Sequence, residues 1–356
     1  MSPPAAPAVV LERTPPDAVA DPEGGTTSPM AARRRGLPPM ARYVLGRLGQ
    51  AVLVLWGAFT VAFVILNVLP SDPVALRLAA ADLDVKDVPP AKLAALTHEL
   101  GLDKPVIEQY FSSLWHTLHL DFGQSSSIGQ PVSTVLGERL PTTLTLAAGA
   151  ILAVLVFGVG LAYLAVFVRW RPVTALLRML PAIGVSVPTF WIGLLLIQLF
   201  SFTLGWFPSS GTPDASAYVL PSLTMALPYA AMLAQVLIRS FDRTLAEPYA
   251  TTARAKGLSH AAVQFRHAFR NAAVPTLTLL GVMVGYAVTQ AVVAESVFSM
   301  QGIGRLAQGA VIAQDVPVVQ AVVVLAALLF VVVNLVVDLI LPLLDPRIAV
   351  TPQVVR

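Results

Sequence analysis

The chain of 356 residues has no Cys, and Asp, Glu, Lys and Arg together make up only 12% of it. A soluble domain carries about 25% charged residues. Half that share cannot clothe a sequence that is 56% hydrophobic, so a soluble enzyme is disfavoured and an integral membrane protein expected. Without Cys there is no disulfide scaffold, iron–sulfur cluster or thiolate zinc site. The phosphate loop G-x-x-x-x-G-K-[ST], the zinc helix H-E-x-x-H and the nucleophile elbow G-x-S-x-G are also missing.

Long apolar runs are plentiful. Crossing a hydrocarbon layer takes roughly 20 residues, and six runs reach that length: Leu48–Leu69, Leu144–Val168, Val185–Leu204, Val219–Ile238, Val274–Val293 and Val318–Val337. None contains Asp, Glu, Lys, Arg or His. Backbone polar groups in lipid must be satisfied within the segment, so the runs read as helices. They are continuous rather than alternating, which excludes a β-barrel. The expected fold class is an all-α polytopic membrane protein with six transmembrane helices.

Basic residues orient it. Arg13, Arg33, Arg34, Arg35, Arg42 and Arg47 precede the first run, and Arg169, Arg171 and Arg178 follow the second. Arg239, Arg243, Arg254, Lys256, Arg266 and Arg270 follow the fourth, and Arg347 and Arg356 the sixth. Seventeen of the 23 Lys and Arg therefore share one side, and the positive-inside rule places both termini in the cytoplasm.

This gives a working division. Residues 1–41 read as a disordered, Pro- and Ala-rich cytoplasmic tail, 42–69 as the first span with its approach, and 70–143 as a small extracellular cap. Residues 144–345 read as a five-helix core containing a cytoplasmic loop at 239–273, and 346–356 as a cytoplasmic tail. A cleaved export signal is not expected, because the first run is too long for one and no small-residue cleavage site follows. Within the cap, Leu93–Leu100 and Val106–Leu120 show helical spacing of apolar residues.

Candidate chemistry is sparse. His98, His116, His119, His260 and His267 all lie in connections, so no buried His base or metal pair is expected. His116 and His119 are spaced as metal ligands can be, but a solvated face explains them better. Glu295 and Asp338 sit at the ends of runs and read as interfacial anchors rather than proton relays. Without a charge at membrane depth, an ion-coupled secondary carrier is disfavoured. Pro181, Pro188, Pro221, Pro228 and Pro275 cluster in the central runs, as suits a bundle that opens a passage. A membrane scaffold with no transport of its own is the remaining alternative.

The stretch 239–273 is the most telling. Pro248 suits the first turn of a short helix, Gly257 its stop, and Ser259 the cap of another. Tyr249, Ala253 and Gly257 fall on one face at four-residue steps, leaving a solvated helix and a docking helix equally open. Arg254 and Lys256 lie beside that face.

With those residues in view the chain resembles the permeases of ATP-binding-cassette importers of the oligopeptide/dipeptide/nickel class, specifically the first of their two membrane subunits, as in a dipeptide permease B-like chain. The resemblance covers roughly residues 41–347. It rests on Leu69-Pro70-Ser71-Asp72-Pro73, Leu100-Gly101-Leu102-Asp103-Lys104-Pro105 and Glu138-Arg139-Leu140-Pro141-Thr142-Thr143-Leu144. Thr252-Ala253-Arg254-Ala255-Lys256-Gly257-Leu258 and His267-Ala268-Phe269-Arg270-Asn271-Ala272 carry it further. Glu295-Ser296-Val297-Phe298, Gly302-Ile303-Gly304, Asn334 with Asp338, and Asp345-Pro346-Arg347-Ile348 complete it.

The resemblance implies a type I importer permease fold. It implies that Tyr249, Thr251, Thr252, Ala253, Arg254, Lys256 and Gly257 form the coupling helix seated in a cleft of an ATPase. The implied partners are a second homologous permease, two ATP-binding-cassette domains, an extracellular solute-binding protein and the bilayer, with no nucleic acid. ATP hydrolysis would lie on separate subunits, and no cofactor is expected in this chain. Departures are Ser71 where Gly is common and Gln301 where Pro is common. Thr251-Thr252-Ala253 replaces the Glu-Ala-Ala of other importers, as is usual in the peptide branch. The expected role is a pathway for di- or oligopeptides or similar small solutes in the inner membrane.

Overall fold

A computed structural model describes residues 39–68, 88–99, 103–211, 214–259 and 269–344, with positions 74, 78, 83, 86, 262 and 263 besides. The tail to residue 38, the Leu69–Pro73 and Leu100–Leu102 motifs, His260, His267 and the Asp345–Ile348 motif lie outside the described residues. So does the side chain of Asp338.

The described fold is helical throughout. α1 is Pro39–Val68, α2 Pro90–Glu99 and α3 Val106–Leu118. α4 runs Val132–Phe167 with a π turn at Leu155–Val159. α5 is Arg171–Ser186, and α6 is Thr189–Thr203, closing in π geometry from Ile197. α7 is Val219–Ala246, α8 Pro248–Ala255 and α9 Phe269–Val297. α10 is Ile303–Ile312 and α11 Val316–Leu344.

Among the described residues four helices are long and apolar enough to cross a membrane, and up to six spans result if each of two bent pairs counts as one. The third expected span is corrected by one of these pairs. Rather than a straight helix from Val185, the chain turns by 108° between α5 and α6. Val187 and Pro188 are both extended there. Pro188 has no N–H for a helix ladder and disfavours helical geometry in Val187, so the axis breaks at this dipeptide. α9 also bends, by 51° between Leu279–Ala287 and Thr289–Val297.

α7 is the axle of the bundle: 61% of its apolar stretch is buried, against 11% for α1. Lipid is as apolar as Leu, so helices associate there through close packing of small residues rather than hydrophobic drive. Ala226, Ala230, Ala231 and Ala234 give α7 such a surface. Opposing glycines complete it. A Cβ on Gly158 of α4 would strike Leu233 and the Ala230 carbonyl, and one on Gly184 of α5 would strike the Ala231 methyl. α1 lies at the periphery on α11, with Val52, Leu53, Trp56 and Val64 turned outward.

Chain direction gives the bundle two ends. α1, α5 and α9 begin at the end carrying Arg171, Arg239 and Lys256, called the basic end here, and α7 and α11 finish there. α3 lies towards the other, beside the last turns of α1 and the start of α11, and so does α10 between α9 and α11.

Candidate functional site

At the basic end the chain leaves α7 and folds into a compact hook. Glu247 is extended (φ −65°, ψ 148°), as a residue before Pro prefers. Pro248 then opens α8, where its missing N–H costs nothing. Two turns later Gly257 adopts φ +82°, left-handed backbone open to Gly at no steric cost. Leu258 N–H reaches back to the Ala253 carbonyl at 3.3 Å and the two side chains pack together, the paired marks of a Schellman stop. Ser259 Oγ then accepts the Ala262 N–H at 3.2 Å and caps the next turn.

The hook has its own apolar centre. Ala253 and Val263 are buried together, flanked by Leu245 and Leu258. This corrects the expected face of Tyr249, Ala253 and Gly257, because Ala253 is consumed inside the hook. The exposed surface is formed by Thr252, Ala255, Lys256 and Gly257, with Tyr249 at its margin. The side chains of Thr251 and Arg254 lie outside the described residues.

Leu245 faces two ways. It also packs on a cluster of Ala162 and Ala165 from α4, Leu237, Ile238 and Phe241 from α7, and Ala272 from α9. Leu177 of α5 joins the same cluster. The hook is thereby in apolar contact with the junction of four bundle helices, and Arg178 clamps α5 to Asp242 of α7 by two hydrogen bonds of 2.9 Å.

The opposite end is tied by buried carboxylates. Glu295 is fully buried, accepting the Thr143 hydroxyl at 2.6 Å and the Arg305 N–H at 2.9 Å. Thr143 Oγ1 in turn accepts the Ile303 N–H at 2.8 Å. Together they satisfy N–H groups in the first turn of α10, and the carboxylate complements the positive end of its dipole. The interfacial anchor expected at Glu295 is therefore an internal strut. It lies inside because Gly302 leaves it room: a Cβ there would overlap the carboxylate.

Asp315, which the sequence reading did not single out, holds the far end of α10. Its carboxylate accepts the Ser125 and Ser127 hydroxyls, the Ser126 and Ser127 N–H groups and, at 3.4 Å, the Val318 N–H at the start of α11. Burial works to raise its pKa, but those serine hydrogen bonds outweigh it and hold the carboxyl below its ordinary range. The consecutive serines at 125–127, followed far along the chain by Asp before an apolar run, were the available signal.

Cavities lie beside one of these struts and within the bundle. One of about 310 Å³ lies beside α10, with Arg139, Gln301 and Arg305 in its wall, and Arg139 donates to Gln301 Oε1 at 2.6 Å. An apolar groove of about 730 Å³ fills the inside of the α5–α6 bend, bordered by Gly160, Ile183 and Trp191. A narrow space of about 20 Å³ separates α4, α7 and α9 beside Met225, Tyr229 and Gln290. His116 pairs with Asp121 at 3.3 Å and His119 bonds the Trp115 carbonyl at 2.8 Å. Among the described residues no group of three metal-ligating side chains forms.

Comparison with known proteins returns one consistent answer. Residues 154–350 match the family model described as binding-protein-dependent transport system inner membrane component, and residues 40–147 match the model of its N-terminal region. A Brucella abortus protein named as a peptide transport system permease is 35% identical over 317 residues, spanning 87% of this chain and 99% of its own. The glutathione transport system permease of Salmonella typhimurium is 36% identical over 309 residues, with the same coverage. A solved amino acid ABC transporter, crystallised with histidines, aligns at TM-score 0.46 and 18% identity over 60% of this chain and 94% of its own.

Proposed function

The chain belongs to the binding-protein-dependent inner-membrane transport family and is a multi-pass permease subunit of an ABC importer; we propose that it carries short peptides and that the α8 hook receives the drive of a separate ATPase. The cargo class follows the names of its relatives, which specify peptide and glutathione transport. With the basic end in the cytoplasm, the hook stands where a nucleotide-hydrolysing subunit can reach it.

One observation supports the coupling role above the others: Leu245 belongs both to the apolar centre of the hook and to the junction of α4, α5, α7 and α9. A push on Thr252, Ala255 or Lys256 is transmitted through packed side chains, which shift between discrete arrangements rather than deform. Energy then enters from another polypeptide, so no phosphate loop and no ionisable residue at membrane depth is required of this chain. A second permease completes the pathway, and a solute-binding protein delivers cargo at the end opposite the hook.

The test is peptide uptake by the assembled transporter in vesicles. Gly257→Val places a β-branched residue in left-handed geometry and dismantles the stop of α8, whereas Gly257→Asn tolerates it. The Val variant inserts and assembles but loses ATP-driven uptake, and the Asn variant keeps most of it. Equal uptake in both, with normal assembly, overturns the coupling role.

A further inference from the structure

α3 carries three faces. At about 100° per residue, Tyr110, Ser113, Leu114 and Thr117 gather on one side and are half-buried. Ile107, Phe111, Trp115 and Leu118 fall about 105° away, each 60–70% exposed. Glu108, Ser112 and His116 form a third, exposed row about 100° further on. A helix in water has no use for the second row. A helix lying at a membrane surface beside a protein needs all three.

Its position is set by contacts. Tyr110 shares a 2.8 Å hydrogen bond with Thr60 of α1, and its ring meets Phe59 and Phe63 edge-on at 5.5 and 5.3 Å. Ser113 Oγ accepts from Gln320 of α11 at 3.3 Å. Thr60 lies inside the apolar run Leu48–Leu69 and eight residues before the end of α1, about 12 Å along its axis. Even allowing for the reach of the tyrosine ring, α3 lies level with the last turns of α1 rather than above them. An amphipathic helix seated in a bilayer sinks its apolar face about 5–10 Å into the boundary of headgroups and chains. Beside it, α1 already turns Trp56, Val61 and Val64 outward, so the apolar row of α3 prolongs a lipid-facing surface. Phe111 and Trp115 also suit the aromatic belt of that boundary.

We propose that α3 is a membrane-seated helix, laying Ile107, Phe111, Trp115 and Leu118 among the lipid chains of the leaflet opposite the basic end, with Glu108, Ser112 and His116 at the water. It props α1, the least enclosed of the four unbroken spans, against α11 from the side. This inference is independent of the cargo and of the ATPase, and stands or falls without them.

Because the chain has no Cys, single cysteines can be placed at Phe111, Trp115, Leu118, Glu108, Ser112 and His116 of the full-length protein. Each is spin-labelled in phosphatidylethanolamine–phosphatidylglycerol vesicles, with and without its partner subunits. Collision with dissolved oxygen should exceed collision with a water-soluble nickel chelate at 111, 115 and 118, and the order should reverse at 108, 112 and 116. Nickel access at all six positions would put α3 in water and overturn the proposal. Shielding of 111, 115 and 118 from both reagents would mean that protein covers them, and would overturn it equally. Should the substituted proteins fail to fold, brominated-chain lipids provide a second measurement on the unmodified chain. They should quench its tryptophan emission more than that of Trp115→Phe, and equal quenching contradicts the assignment.

Discussion

Thr143 and Glu295, 152 residues apart in the chain, meet in a buried hydrogen bond of 2.6 Å. The pair joins α4 to α9 and, through the Ile303 and Arg305 N–H groups, fixes the start of α10. Thr143→Val keeps the side-chain volume but strips a donor from Glu295 and an acceptor from Ile303. Leaving such groups unpaired costs about 1–3 kcal/mol. Thermal unfolding in detergent should show that loss, and Thr143→Ser should recover most of it.

Gly302 is held by space rather than by backbone geometry, since its φ of −112° suits any residue. Gly302→Ala forces a methyl group into the Glu295 carboxylate. Overpacking alone costs about 1–3 kcal/mol, and the displaced carboxylate adds to it, so this variant should be less stable than Thr143→Val. Gly309→Ala meets nothing within 4 Å and should unfold at or above the parent temperature.

The Asp315 clasp sets a dependence on acid. Its folded-state pKa is depressed by the serine hydrogen bonds. The stability it contributes is therefore present above the ordinary carboxylate value and lost as pH falls through the folded one. Asp315→Asn has no such ionisation. Melting temperatures of parent and variant should differ most near neutrality and converge below the usual carboxylate range. A constant gap across pH would contradict the clasp.

The spans were legible because an uncharged run of 20 residues has few uses outside a membrane. What the runs hid was how the third begins. α5 carries Arg171 and Arg178, which exclude it from any search for uncharged stretches, yet its apolar side packs along α7 and Arg178 is neutralised by Asp242. Pro188 was visible as an interruption, but a bend of 108° is a tertiary result. The hook was readable in outline, since Pro248, Gly257 and Ser259 act on neighbouring backbone. The burial of Ala253 was not, because Val263 arrives from beyond the stop. Glu295 shows the same limit: its place at a helix end was plain, whereas Thr143 and Gly302 reach it only through the fold.

The Arg178–Asp242 bridge is bidentate, but both side chains are nearly half exposed. Exposed pairs contribute about 0–1 kcal/mol. A double-mutant cycle over Arg178→Ala and Asp242→Ala should return a coupling energy in that range, weaker in high salt. A larger, salt-independent value would place the pair at a sealed contact.

The hook can be tested where it stands. With no native Cys in the chain, a single cysteine at Thr252 or Ala255 carries a short crosslinker in the assembled transporter within intact cells. The account predicts crosslinks to the ATPase subunit, transport lost once they form, and protection of both positions from a membrane-impermeant thiol reagent added outside. Labelling of either position from the exterior, or transport undiminished by the crosslink, would contradict it.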